Sequence, residues 1–212
     1  QLREYQKRMS QRLDVMKPRS DLTATRIKTL RQQRATDVVA YGGKSANLGE
    51  LIRARLPGVI IPDGFTVPFY YYDQFINENE LDDVIFEMMN DQKFVHDPAY
   101  RRGRLHELRD RIQKGKINKA LRTQVLQLAH AQYAGKGLFA RSSSNAEDLP
   151  NFSGAGLHSS VPNVKGDDQL LEAIKTVWAS LWNFEAYEAR ERAGIDQAAR
   201  LTNSISCASG VS

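Results

Sequence analysis

Asp37-Val-Val-Ala-Tyr-Gly-Gly-Lys-Ser-Ala-Asn-Leu-Gly-Glu50 is the stretch on which the fold turns. Its first five residues make a short apolar run that reads as a strand, and the run ends in a glycine pair. From Lys44 the pattern changes. Leu48, Leu51, Ile52 and Leu56 recur at helical spacing and predict a helix with those side chains on one face. A strand, a glycine turn and a helix in succession predict a mixed α/β or α+β domain. The same junction suits an anion. Glycines let the backbone approach a ligand closely. The free amides and the dipole of a helix start favour negative charge, and a lysine there neutralises phosphate as a point charge. The upstream glycine spacing of a Walker loop is absent, so a plain strand-turn-helix connection stands as the alternative.

Downstream, Val59–Ile61 and Phe65–Val67 read as two strands around Pro62-Asp-Gly64. From Pro68 to Tyr133 the period is helical. Three faces are legible: Phe69, Tyr72, Phe75 and Ile76; then Leu81, Ile85 and Met88; then Ile117, Leu121, Val125, Leu128 and Tyr133. Leu138–Ala140 is a short strand. Leu157–Val164 reads as extended. Asp167 to Trp182 predicts a long helix capped at Asp167, with Leu170, Ile174, Val177, Trp178 and Leu181 inward. Trp178 and Trp182, one turn apart, read as core. Phe184–Ala193 continues as a helix that Gly194 stops.

Upstream, residues 1–34 read as two helical stretches broken at Lys17-Pro18, the second capped by Ser20 or Asp21 and ending near Arg34. This segment holds ten Lys or Arg against three Asp or Glu, while the whole chain has a net charge of +5. The remaining 178 residues are therefore slightly acidic, and the basic character belongs to one end. A solvated extension or linker and a nucleic-acid arm are both open readings, although aromatic interleaving is missing. Hydrophobic content of 41% with 26% charged residues is that of a globular chain, and no apolar run approaches a membrane span. The single cysteine, Cys207, cannot form an internal disulfide, which points to a reducing, cytoplasmic setting. His96, His106, His130 and His158 share no ligand spacing, so no metal site is expected within the chain.

Two further segments can carry chemistry. In Ala140-Arg-Ser-Ser-Ser-Asn-Ala-Glu-Asp-Leu-Pro150, Arg141 follows a strand and can fork onto phosphate oxygens, with Ser142, Ser143, Ser144 and Asn145 as short polar donors. Glu147 and Asp148 would orient Arg141 or sit near a cation. A capped surface turn is the other reading. In Phe152-Ser-Gly-Ala-Gly-Leu-His158, Gly154 and Gly156 make a close-approach loop able to fold over phosphates, or else a hairpin turn. So few side chains anchor 151–160 that the segment is expected to be loosely held without nucleotide. His158 reads as a structural histidine.

Four pieces occur in order: Gly42-Gly-Lys-Ser-Ala-Asn-Leu-Gly-Glu50, Pro62-Asp-Gly-Phe65, the arginine-serine segment 140–150, and Leu171-Glu-Ala-Ile-Lys-Thr-Val-Trp-Ala-Ser-Leu181. That series resembles the N-terminal nucleotide-binding domain of phosphoenolpyruvate synthases and pyruvate phosphate dikinases, from about Asp37 to Ile195. The resemblance implies an ATP-grasp-like α+β fold, its N-terminal half, with a helical insertion. It divides the chain into a basic extension or linker (1–34), the half-domain (35–196) and a polar tail (197–212). It implies ATP as ligand, with Lys44, Arg141, Ser142, Gly154 and Gly156 around the phosphates and Arg141 in the catalytic role. Magnesium ligands are expected outside this chain. So are the phosphorylated histidine and the pyruvate-binding domain. The loop departs from the family's usual Phe-Ala-Gly followed by two glutamines and also resembles the glucan-water dikinase branch. Pyruvate, a glucan and an antibiotic are the acceptors in that order. A non-catalytic nucleotide-binding module is the alternative from another class.

Overall fold

The computed structural model describes residues 18–145, 154, 156–197 and 203–209. In chain order the elements are β1 (Lys28–Thr29), α1 (Val38–Tyr41), α2 (Gly43–Ala54), β2 (Gly64–Val67), α3 (Phe69–Glu78), α4 (Leu81–Asn90), α5 (Gln92–His96), α6 (Pro98–Lys114), α7 (Lys119–Tyr133), β3 (Leu138–Ser144), β4 (Ser160–Val164), α8 (Asp167–Ala179), α9 (Phe184–Ala193) and β5 (Asn203–Ser209). Tight 3-10 turns at Leu30–Gln32, Ala35–Asp37 and Ser180–Trp182 complete the path.

The sequence dictates the helical insertion α3–α7 locally. The Asp97 carboxylate accepts from the amides of Ala99 and Tyr100 at 2.9 and 3.1 Å, and Pro98 occupies the first turn, where no amide partner is needed. Asn118 caps α7 by accepting from the Leu121 amide at 2.9 Å. Gly194, at φ +68°, stops α9. The predicted apolar faces converge on one core that includes Tyr72, Phe75, Leu81, Met88, Leu121, Val125, Trp178 and Trp182. Trp178 meets the rings of Phe75 and Tyr72 at centroid separations of 4.9 and 5.9 Å, and the Trp182 indole donates to Tyr72 Oη at 2.9 Å. Each such buried aromatic contributes about 2–3 kcal/mol.

The five strands among the described residues form one antiparallel sheet in the order β1-β2-β5-β3-β4. Register sorts its two faces. Phe65 stands opposite Cys207 and Cys207 opposite Ala140; Val67 stands opposite Ile205 and Ile205 opposite Ser142. This face belongs to the helical core. The other face carries Thr66, Ser206 and Arg141 in one row, with Ser204 and Ser143 in the next. The sheet's edges are modest. β1 has two residues, and β4 contains Pro162, which has no N–H to offer a ladder, followed by Asn163 at φ +52°.

Several expectations fail here for identifiable reasons. Asp37–Tyr41 is not a strand. The Asp37 carboxylate accepts from the Arg34 amide and from Lys28 Nζ, both at 2.9 Å, and winds the chain into a 3-10 turn that runs on into α1. Ala40 and Tyr41 are then buried side by side instead of alternating. Val59–Ile61 belongs to no strand, and only Gly64–Val67 pairs. In α2 the buried face is Gly43, Ser45, Ala46 and Gly49, not the leucines; Leu51 and Leu56 are exposed. Small residues win because the helix sits very close to its neighbours. A β-carbon on Gly49 would fall 2.5 Å from that of Gln33. The second predicted N-terminal helix is also absent. Asp21 instead caps a turn at Thr23, accepting from its amide at 2.8 Å, and Lys28–Thr29 pairs with β2. The first predicted helix, up to Lys17, lies outside the described residues.

The largest correction concerns 197–212, expected to be a polar tail. Residues 203–209 form β5, the central strand, paired on both sides. Its serines misled because hydroxyls usually face water, but here Ser204 and Ser206 are buried against the polar face of the sheet. Gly64 faces Ala208 on β5 so closely that an added β-carbon would lie 2.1 Å from the Cys207 carbonyl oxygen. We expect Gly64→Ala to lower stability by about 3 kcal/mol in denaturant unfolding, whereas Gly103→Ala, in the middle of α6 with open space around it, raises stability by about 0.5–1 kcal/mol.

Candidate functional site

The site is built at the point where α2 begins. Gly42 precedes the helix at φ +78°, and a β-carbon there would lie 2.2 Å from the Ser143 carbonyl oxygen and 2.3 Å from Ser143 Oγ. Only glycine fits both the angle and the space. The Ser45 amide points at Ser143 Oγ, 3.4 Å away. From β5, the Ser204 hydroxyl lies within reach of the carbonyls of both Tyr41 and Ser143, at 2.9 Å from the latter. The start of α2, with Lys44 half-buried on its first turn, is thus held to the end of β3.

Arg141 lies within β3, not after it, because the strand runs on to Ser144. It shares a face with Phe139 and Ser143. Its guanidinium is exposed, stands 5.6 Å over the Phe139 ring, and has no ion pair among the described residues. Strand alternation therefore brings Arg141 to the face on which Ser143 meets α2, two residues from that contact. Ser142 goes the other way: it is buried on the core face opposite Ile205. Ser143 is the serine at the junction. Alternation from Arg141 could have indicated it had the strand been drawn to its full length. Glu147 and Asp148 lie outside the described residues.

The glycine loop is described at 154 and from 156 onward. Gly154 is buried and its carbonyl accepts from the Leu157 amide at 3.2 Å, while Gly156 takes φ +76°. Of the segment 151–160, expected to be loosely held, residues 151–153 and 155 lie outside the described residues; residues 157 and 158 are tied to the Ser180–Asn183 turn. Asn183 Nδ2 donates to the Leu157 carbonyl at 3.0 Å, and His158 Nδ1 lies 3.3 Å from the Ser180 carbonyl. The anchors are backbone carbonyls met by polar side chains, which apolar patterning does not reveal. The same turn receives Arg190, whose Nη2 donates to the Leu181 carbonyl at 2.8 Å. Arg190 was passed over in the sequence although it falls on the inward face of α9, one turn beyond Ala186 and Tyr187.

His158 titrates far from its ordinary range. Burial first, then the charges of Arg190 and Lys44, push its imidazole down to about 3. The ring is therefore neutral at pH 7. Among the described residues no group of three His, Cys, Asp or Glu side chains is arranged to hold a metal ion, and no helix is long and apolar enough to cross a membrane.

A mixed α+β domain that wedges the lysine-bearing start of a helix against an arginine-bearing strand is of the nucleotide-binding class. The chain belongs to the family described as pyruvate phosphate dikinase, AMP/ATP-binding domain, which it matches over residues 38–208. That domain is ATP-grasp-like. The chain is 34% identical over 165 residues to a probable phosphoenolpyruvate synthase of Methanothermobacter thermautotrophicus, covering 76% of this chain and 24% of the relative. It is 33% identical to the phosphoenolpyruvate synthase of Escherichia coli, with 76% and 21% covered. It is 30% identical to a rifampicin phosphotransferase of Bacillus subtilis, with 79% and 19% covered. The chain thus spans about a fifth to a quarter of the length of these relatives.

Because His158 is neutral in the folded chain down to about pH 3 but protonates near 6.5 when unfolded, the unfolded state binds the extra proton between those values. Stability is then lost as pH falls through that window, by up to about 1 kcal/mol per pH unit from this residue. Urea unfolding from pH 7 to pH 4 should show a shallower decline for His158→Gln than for the parent chain.

Proposed function

We propose that this chain is the ATP-binding N-terminal part of a phosphoenolpyruvate synthase or pyruvate phosphate dikinase-type phosphotransferase. In the full-length enzyme, ATP bound here phosphorylates a histidine on a separate domain, and the phosphoryl group then passes to pyruvate. The observation that carries the reading is the fit of Gly42 against Ser143, inside the family match, because it directs the start of α2 and Lys44 to one end of the sheet.

Lys44 neutralises phosphate oxygens as a point charge, aided by the free amides of the first turn of α2. Arg141, ordered by its stack on Phe139, forks onto the phosphate in flight and steadies charge as the bond to the leaving oxygen lengthens. Ser142, although on the core face, belongs to the same strand end and supports the path of the backbone. The turn from Gly154 through Gly156 covers the phosphates and keeps water from competing with the acceptor. Mg²⁺ is the expected counter-ion of the nucleotide. The described residues offer no carboxylate cluster that fits it, and we assign its ligands to the part of the protein beyond this chain. The half-domain assigned to 35–196 takes in β1 and β5 as well, since both belong to its sheet. Similar identity to phosphoenolpyruvate synthases and to a rifampicin phosphotransferase supports a unit that handles ATP whatever the acceptor. A cytoplasmic setting follows from this role.

The 212-residue chain should show no dikinase activity and bind ATP weakly, with Kd near ~1 mM, because an adenine lying on half a cleft stays open to water. Lys44→Met and Arg141→Met should each weaken that binding about tenfold in an NMR titration, a loss typical of one charged phosphate contact. Tight, magnesium-dependent binding by this chain alone would show that a complete site is encoded here.

A further inference from the structure

We propose that Ser204 is a positioning residue for the phosphates of the bound nucleotide. Its hydroxyl ties the entry of the lysine-bearing helix to the arginine-bearing strand, and so sets the spacing of Lys44 and Arg141 that a polyphosphate bridges. The inference rests on the reading of Lys44 and Arg141 as phosphate residues and deepens it.

The tie is needed because the helix is broken at this point. α1 ends at Tyr41 and α2 begins at Gly43. An unbroken helix would carry the Ser45 amide to the Tyr41 carbonyl, four residues back. Gly42, at φ +78° and ψ 160°, turns the chain between them and separates the two groups. Each then meets a serine of the sheet. The Ser45 amide faces Ser143 Oγ on β3 at 3.4 Å, and the Tyr41 carbonyl accepts from the Ser204 hydroxyl on β5. The same hydroxyl lies 2.9 Å from the Ser143 carbonyl oxygen. A hydroxyl has one proton to donate, so the two carbonyls share it. That shared bond holds the end of α1 against β3. Lys44 follows Tyr41 by three residues, and Arg141 precedes Ser143 by two.

Packing alone does not account for the hydroxyl. Ser204 is 0% exposed. Alanine fills nearly the same space there without the cost of taking a hydroxyl out of water. The next hydroxyls on this face provide the contrast. Ser206 stands two residues further along β5, opposite Thr66. Both are buried, and neither Ser206 Oγ nor Thr66 Oγ1 has a hydrogen-bond partner among the described residues. Ser204 differs from them in bonding both walls of the junction. Without its hydroxyl the Tyr41 carbonyl loses that bond, and the start of α2 gains play against β3. A ligand held by one cation tolerates such play. A ligand that must touch Lys44 and Arg141 together does not.

The test compares Ser204→Ala with Ser206→Ala, which removes a hydroxyl from the same strand and face but breaks no hydrogen bond. Lys44→Met and the double variant Ser204→Ala/Lys44→Met stand beside them. Each 212-residue chain is titrated by NMR with adenosine, AMP, ATP and inorganic tripolyphosphate. We expect Ser204→Ala to bind ATP and tripolyphosphate about fivefold more weakly, the scale of one net hydrogen bond, with AMP weakened less than about twofold and adenosine unchanged. Ser206→Ala should match the parent on all four ligands. In the Lys44→Met background Ser204→Ala should cost nothing further, because the spacing it sets no longer joins two cations. A loss on adenosine equal to that on ATP, an equal loss from Ser206→Ala, or an undiminished loss in the Lys44→Met background would reduce Ser204 to a structural serine and overturn the inference. Tripolyphosphate binding that Lys44→Met weakens and Ser204→Ala leaves intact overturns it alone. Parent-like binding by Lys44→Met overturns the Lys44 reading and this inference together. Should Ser204→Ala not fold, Ser204→Cys decides, since a thiol keeps the shape and donates only weakly. Parent-like affinity for tripolyphosphate in Ser204→Cys then overturns the proposal.

Discussion

Everything in this domain hangs on β5 finding both of its neighbours. Seven residues near the far end of the sequence must pair with β2 on one side and β3 on the other, strands that lie more than seventy residues apart along the chain. Before that pairing, β1-β2 and β3-β4 are two separate ladders, each with an open edge of backbone donors and acceptors that cannot be buried unpaired. After it, the apolar row Phe65, Cys207, Ala140 gives the helices a floor. The hydroxyl row above gives α2 a seat. The Ser204 hydroxyl, reaching both Tyr41 and Ser143, is the point where sheet closure and site assembly become one event.

The site proposed here draws on two cations from distant parts of the sequence, Lys44 with α2 and Arg141 with β3, a pairing of charge that suits a polyanionic ligand. His158 is kept neutral by burial first and by the charges of Arg190 and Lys44 second.

The sequence made the helices legible wherever an apolar stripe and a stop or cap signal agreed, as at Phe184–Gly194. Strands were harder, for a physical reason. β3 and β5 bury serines on both faces, so hydrophobic alternation, the usual mark of a strand, is absent from them. α2 was located correctly and its inward face misassigned, because close approach selected Ser45, Ala46 and Gly49 over the leucines. Lys44, Arg141 and the glycine pair were read from chemistry and resemblance. Ser143 was read only as one of several polar donors; its contact with the start of α2 comes from the close approach of β3 at Gly42, which no short motif encodes.

The two margins of the sheet have a consequence for how this unit meets its surroundings. β1 offers only two residues of ladder, one of them Lys28, and β4 is interrupted by Pro162 and turned by Asn163. Neither rim can template an added strand, the commonest route by which β-rich domains stick to one another. The relatives are several times longer, the match covering 24%, 21% and 19% of the three described above, and a domain of this kind inside them would meet its companions through loops, helix surfaces and shared ligand. Contacts of that sort can form and separate repeatedly, whereas a continuous sheet would fuse the pieces. Blunted margins thus leave loops and helix surfaces, not strand edges, as the surfaces by which this unit meets its neighbours.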